Sequence, residues 1–185
     1  IARGFADIAI RFVMIGFDAA SPVALERLNK ALRSSNPRGD QLLERNYKAI
    51  DSAHDAGLWI RGGLVVGHLG INESLLASDA EAGESLLQYG SASLFSVDIE
   101  VLSPEPGSSE FRMLADAGFA LQRCKVLGVK PPSEQWLART SRKWAGRDLI
   151  DREEAMRDYV TGFMHGVRFE DLVAIRHRLR DFAKS

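Results

Sequence analysis

The chain has 185 residues, 45% hydrophobic and 26% charged, which suits one well-packed globular domain and does not require a second. Its 24 Lys and Arg balance 25 Asp and Glu to a formal charge of −1, so no long-range field argues for nucleic acid or an anionic membrane as partner. A single cysteine, Cys124, excludes an internal disulfide and any multi-thiolate metal site built from this chain alone.

The chain opens at Ile1 without a methionine and soon enters an apolar stretch, Ile8-Ala9-Ile10, which reads as entry into the middle of a domain and so as a fragment. Val13-Met14-Ile15-Gly16-Phe17 is a continuous apolar run of the kind buried on both faces, as in a parallel strand covered by helices, and polar Asp18 ends it. Ser21-Pro22 carries a hydroxyl cap followed by proline at the first helical position, and Leu25, Leu28 and Leu32 give an apolar stripe running to about Arg33. Ser34 to Asp40 reads as a loop. Gln41 to Ala56 predicts a helix with Leu42, Leu43, Tyr47, Ile50 and Ala53 on one side, and Gly57 stops it.

Leu58 to Val66 is the next predicted strand, and Asn72 or Ser74 starts a helix reaching Tyr89, closed by Gly90. Ser93 to Val101 alternates more clearly and predicts a third strand. A helix over Ser109 to Ala117 follows the Pro104 to Ser108 loop and ends at Gly118. Strands alternating with helices at this spacing predict right-handed βαβ units and a parallel sheet. Past Gly128 only helical periodicity remains, over Glu134 to Trp144, Arg152 to Met164 and Phe169 to Phe182, after a Lys130-Pro131-Pro132-Ser133 hinge and cap. The predicted fold is therefore α/β, a partial (half) TIM-like barrel of parallel strands over residues 1–128 with a C-terminal helical extension over residues 129–185.

Apolar runs such as Leu64-Val65-Val66 are far shorter than a bilayer-spanning segment, and the N-terminus lacks the order of a signal peptide, so a cytoplasmic setting is the expectation. No nucleophile elbow or phosphate-cradling glycine loop occurs. Arg139, Arg142, Lys143 and Arg147 are followed by Asp148, Asp151, Glu153 and Glu154, which makes them a solvated face. His54 reads as a last-turn residue favoured by the helix dipole, His165 and His177 as residues of the terminal helices, and Cys124 as a small buried hydrophobe. His68 stands at a strand mouth, where an acid/base role is conceivable.

Three segments together carry a resemblance. Ile15-Gly16-Phe17-Asp18-Ala19-Ala20-Ser21, with Leu25 to Lys30 behind it, is similar to the fourth strand and following helix of the partial barrel in radical S-adenosylmethionine enzymes. His54 to Leu58 leading into Gly63-Leu64-Val65-Val66-Gly67 resembles that family's fifth strand with its glycine-hydrophobic-glycine motif, and Leu102-Ser103-Pro104-Glu105-Pro106-Gly107-Ser108 resembles the loop after the sixth. The resemblance spans about Phe12 to Leu114 and points to the branch with cobalamin-binding members. It implies an S-adenosylmethionine pocket in which Gly63, Val65 and Gly67 meet the adenine, Asp18 accepts from a ribose hydroxyl, Arg61 or Ser21 holds the methionyl carboxylate, and Pro104 shapes the neighbouring loop. It further implies a 4Fe-4S cluster with ligands outside this chain, cobalamin as an additional cofactor, an unknown small-molecule substrate, and no metal ligand or assigned catalytic residue here.

The largest departure from the pattern is that the family's three-cysteine loop, which follows the first strand and binds the cluster, is missing from this chain, and two others lie within the matched segments. His68-Leu69-Gly70-Ile71 replaces the usual proline-glycine-glutamate-threonine turn, and Asp18-Ala19 replaces glutamate-serine. Read without the resemblance, the glycines are packing devices of barrel turns and Asp18 is a helix cap. Two other functions follow from that reading. One is a non-catalytic α/β domain whose helical tail, with Tyr159, Phe163, Met164, Phe169, Leu172 and Leu179, docks a partner. The other is an ordinary barrel enzyme using Asp18, Glu100 and His68. A half-barrel exposes sheet edge and apolar strand faces, so self-association, or docking of a missing N-terminal half, is expected.

Overall fold

A computed structural model describes Gly4 and residues 10–28 and 38–185. The elements run β1 (Phe12–Asp18), α1 (Pro22–Arg27), α2 (Gly39–Asp55), β2 (Trp59–Val66), α3 (Glu73–Gly90), β3 (Leu94–Val101), α4 (Ser109–Ala115), α5 (Ala117–Val126), α6 (Glu134–Trp144), α7 (Arg152–Phe163) and α8 (Phe169–Phe182). They fall into two units, the described residues of Ile1–Val66, Leu76–Val101 and Ala174–Ser185 forming one, and Gly67–Leu75 with Leu102–Val173 the other. No helix among the described residues is long and apolar enough to cross a membrane.

The first unit is α/β. Its three strands are parallel and lie in chain order, β1-β2-β3. Ser21 caps α1 by accepting from the Ala24 N–H at 3.2 Å, with Pro22 at the first position, as its sequence predicts. The expected continuation of that helix to Arg33 and the loop from Ser34 fall largely outside the described residues. Helix α2 begins at Gly39 and ends before Gly57, whose φ of +64 turns the chain.

Both crossover helices pack on one face of the sheet. Phe17, Ile60, Leu64, Val66, Ile99 and Val101 are buried there, and Ile50 of α2 and Gly90 of α3 converge on Leu94. Tyr47 of α2 meets Tyr89 of α3 edge-on at 4.8 Å. Gly62 also belongs to this face. A Cβ there would stand 2.8 Å from Phe17 Cε2, so its absence lets the Phe17 ring lie across β2. Helix α8 extends the layer through Leu179, which fills the space over Gly83 of α3, and through a fork of Arg178 on Glu84 at 2.7 and 2.8 Å. That fork holds the Glu84 carboxyl below its ordinary range.

The opposite face is open, which corrects the expectation that β1 is buried on both sides. Of its apolar run only Phe17 is buried, while Met14 is 75% exposed and Phe12 56%. The physical reason is that the helices after β1 and β2 share one side, so that Phe12, Met14, Gly16, Trp59 and Arg61 have no covering layer among the described residues. Phe95 meets Phe12 edge-on at 5.4 Å on this exposed surface.

The second unit is built mainly from helices α4 to α7. Trp144, Tyr159 and Phe163 are buried, with Phe111 edge-on to Trp144 at 6.0 Å and Trp136 edge-on to Phe163 at 5.5 Å. The Trp144 indole N–H donates to Asp158 at 2.8 Å, and Lys143 bridges Asp158 and Glu154. Gly118 does not stop a helix here, against expectation. Asp116 ends α4 in extended conformation and then caps α5, accepting from the Phe119 N–H at 3.0 Å, so Gly118 sits harmlessly in a first turn. His165 likewise lies outside the helices, its N–H donating to the Ile71 carbonyl at 2.7 Å in a single bridge between Asn72 and His165.

Candidate functional site

The open face of the sheet carries the candidate site at the C-terminal ends of β1 and β2. Register pairs Gly16 with Gly63, so two glycines sit side by side and leave a strip of bare backbone. A Cβ on Gly63 would find only Gly16 Cα, at 3.9 Å. This strip is flat and unobstructed, the surface a planar ring can approach closely.

Asp18 overhangs it. A Cβ built on Gly16 would lie 3.6 Å from Asp18 Oδ1, which puts the carboxylate beside the glycine strip on the open face. Asp18 has φ +63, and the Ala19 N–H donates to the Phe17 carbonyl at 2.7 Å across it, so the residue is the centre of a γ-turn. The plain helix-cap role falls instead to Ser21.

Arg61 lies two residues before Gly63 on the same face, paired with Asp98 of β3: its Nε donates to Asp98 Oδ2 at 2.9 Å and its Nη2 stands 2.8 Å from the same oxygen. Two of its five N–H groups are used in this way, so the guanidinium retains donors for an anion. Val65 follows Gly63 on the open face, half-buried, beside Glu100 of β3. Glu100 is paired with Arg180 at 2.7 Å.

Ser21 is placed differently. It is buried, accepts from Ala24, and donates its only hydroxyl proton to Asp79 of α3. It thus ties the start of α1 to α3 and keeps one lone pair unspent.

Gly67 and Pro104 belong to the second unit. Gly67 has φ +97, a conformation that side chains resist, and the direction a Cβ would take is filled by Met164 Cε at 3.1 Å and Leu172 Cδ1 at 3.3 Å. Pro104 is buried, in a loop where Ser103 donates to Glu105 at 2.8 Å, Glu105 pairs with Arg152 at 3.0 Å, and Gly107 turns at φ +92 into the Ser108 cap of α4. His68 is 1% exposed, with Nδ1 3.0 Å from the Leu69 carbonyl, so its ring is packed inside the unit and not presented at a mouth.

Five of the six apolar tail residues suited to docking a partner, Tyr159, Phe163, Met164, Leu172 and Leu179, are buried. Cys124 is fully buried, and burial pushes its thiol pKa up, which suits a small hydrophobe. No cluster of three His, Cys, Asp or Glu suited to a metal occurs among the described residues. A groove of about 460 Å3 opens at the other end of β3, lined by Leu87, Leu94, Phe95 and Phe182, away from the strand mouths.

Of the residues the resemblance points to, Asp18, Arg61, Gly63 and Val65 share the open face, whereas Gly16 and Asp98 beside them were not singled out from the sequence. Gly16 was legible, since it precedes Asp18 by two as Gly63 precedes Val65. No protein-family model matches the chain, and no curated protein does either.

Proposed function

We propose that this chain supplies the S-adenosylmethionine-binding strands of a radical S-adenosylmethionine enzyme, as part of a partial TIM-type barrel. The observation that carries this reading is the half-covered parallel sheet with a glycine strip under Asp18. All-parallel sheets are ordinarily covered on both faces, and strands wound in chain order with helices on one side are what a segment of a barrel wall requires. The open face is then the barrel interior, and its exposed Phe12, Met14 and Trp59 are covered by the remaining strands or, failing those, by a second copy.

In this reading the adenine lies on Gly16 and Gly63 against Val65, Asp18 accepts from a ribose hydroxyl, and Arg61 offers N–H donors to the methionyl carboxylate. These residues fit the nucleoside: bare backbone for a ring, a carboxylate for a diol, a guanidinium for a carboxylate. Cys124 is buried and alone, so the thiolates of the 4Fe-4S cluster come from outside this chain. A bound cluster would supply one electron to the sulfonium, the chemistry that breaks its C5′–S bond and leaves methionine and a 5′-deoxyadenosyl radical. The chain's own part is to bind and orient the nucleoside and keep water from it. Cobalamin is a further cofactor of this proposal.

The test uses the protein as its gene encodes it, reconstituted anaerobically with iron and sulfide. S-adenosylmethionine should bind saturably and yield 5′-deoxyadenosine on reduction. Gly63→Trp, whose side chain has open space to occupy, should abolish binding while leaving the circular dichroism spectrum and thermal midpoint in place. Binding that survives Gly63→Trp, or no binding at all, overturns the reading and leaves a partner-docking domain as the alternative.

A further inference from the structure

Among the described residues Asp18 alone, of the non-glycines, has a positive φ. A γ-turn centred on such a residue is rare and strained, and it persists only where its surroundings impose it. Here the surroundings are explicit. Asn46, near the middle of α2, donates its carboxamide Nδ2 to the Phe17 carbonyl at 3.0 Å and to the Ala19 carbonyl at 3.2 Å, the two residues that flank Asp18.

We infer that Asn46 is the positioning residue for Asp18, clamping the turn in the conformation that holds the carboxylate beside the Gly16–Gly63 strip. The inference rests on the proposed function only for what Asp18 grips, a ribose hydroxyl. The clamp itself stands on geometry. The Phe17 carbonyl takes both the Ala19 N–H and one Asn46 proton, so its two lone pairs are spent, and the second Asn46 proton fixes the far side of the turn. A carboxamide is the group this task needs. It offers two protons from one nitrogen, whereas aspartate would face two carbonyl oxygens with none. Helix α2 is anchored independently, through Leu42, Ile50 and Ala53 in the core, so it serves as a rigid mount.

Two measurements on the complete protein separate this inference from the functional reading. The first is a stability cycle of Asn46→Ala, Asp18→Gly and the double variant. Glycine takes positive φ without help, so Asn46→Ala should lower the thermal midpoint in the parent and by less than half as much in the Asp18→Gly background. Equal losses in both backgrounds overturn the clamp, whatever the protein binds.

The second compares equilibrium binding of S-adenosylmethionine with that of its analogue deoxygenated at the ribose. The parent should prefer the natural cofactor by about tenfold, the worth of one charge-assisted hydrogen bond. Asn46→Ala should cut the preference to within about twofold by weakening the natural cofactor and sparing the analogue. A purely structural Asn46 would weaken both alike, and that result overturns the positioning role. Failure of the parent to bind either ligand overturns the functional reading instead, and the stability cycle still decides the clamp.

Discussion

Gly62 and Gly63 are neighbours on β2 that face opposite ways, so the same glycine-to-alanine change should have opposite effects at the two positions. At Gly62 the added methyl carbon would meet Phe17 Cε2 at 2.8 Å and Cδ2 at 3.2 Å, and the Phe17 ring is 1% exposed with nowhere to move. Overpacking of that kind costs about 1–3 kcal/mol. Removing the glycine recovers about 0.5–1 kcal/mol of unfolded-chain entropy, leaving a net loss of about 1 kcal/mol between the midpoints of the two ranges. For a chain of this size that is a fall in Tm of roughly 2–4 °C. At Gly63 the nearest atom is Gly16 Cα at 3.9 Å, ordinary contact, so only the entropy gain applies and Tm should rise by roughly 1–3 °C. Differential scanning calorimetry on the two variants reads both shifts. On the proposed function, Gly63→Ala should also weaken S-adenosylmethionine binding, because its methyl group would stand where the proposal lays the adenine. A Gly63→Ala protein no more stable than the parent, or a neutral Gly62→Ala, would refute the assignment of the two faces.

Asp158→Ala should destabilise the second unit by about 1–3 kcal/mol, since it leaves the buried Trp144 indole N–H unpaired, whereas Asp158→Asn should retain most of that in urea denaturation. The Glu84 carboxyl is held below its ordinary value of 4.5, chiefly by its hydrogen bond to Arg178. A depressed acid contributes stability that is present above its unfolded value and lost as pH falls through the folded one. Stability should therefore drop below about pH 4.5, and less steeply in Arg178→Met, as measured by thermal midpoints across pH. Cys124 is buried with its thiol pKa raised, so a disulfide reagent should label it only at the rate of unfolding. Rapid labelling under native conditions would contradict its placement.

Much of the α/β pattern was legible because its signals are local. Ser21-Pro22, Asn72 and Ser133 cap helices through their own side chains, and Gly57 turns the chain where the apolar stripe of α2 ends. The errors came where a local signal had two meanings. Gly118 reads as a stop, but Asp116 two residues earlier restarts a helix that tolerates glycine in its first turn. The apolar run of β1 reads as buried on both faces, because composition cannot say on which side the next two helices fold back. The site was partly legible for the same reason. Asp18 ends β1 and Gly63 lies within β2, positions that periodicity locates, but the Arg61–Asp98 pair joins residues 37 apart, and Asn46 reaches back 27 and 29 residues to the turn. Those contacts are products of register and helix placement, which no short window of sequence contains.

Because the sheet is laid down in the same sequence as the chain, each strand leaving the ribosome finds its neighbour already waiting. β1 and β2 can zip as soon as β2 has been made, and β3 adds to the free edge of β2 without rearranging anything. The fork of Arg178 on Glu84 spans 94 residues and can close only near the end of synthesis, so it works as a late bolt on a wall built course by course. Pulsed hydrogen exchange during refolding should accordingly protect the β1–β2 amides before those around Leu179.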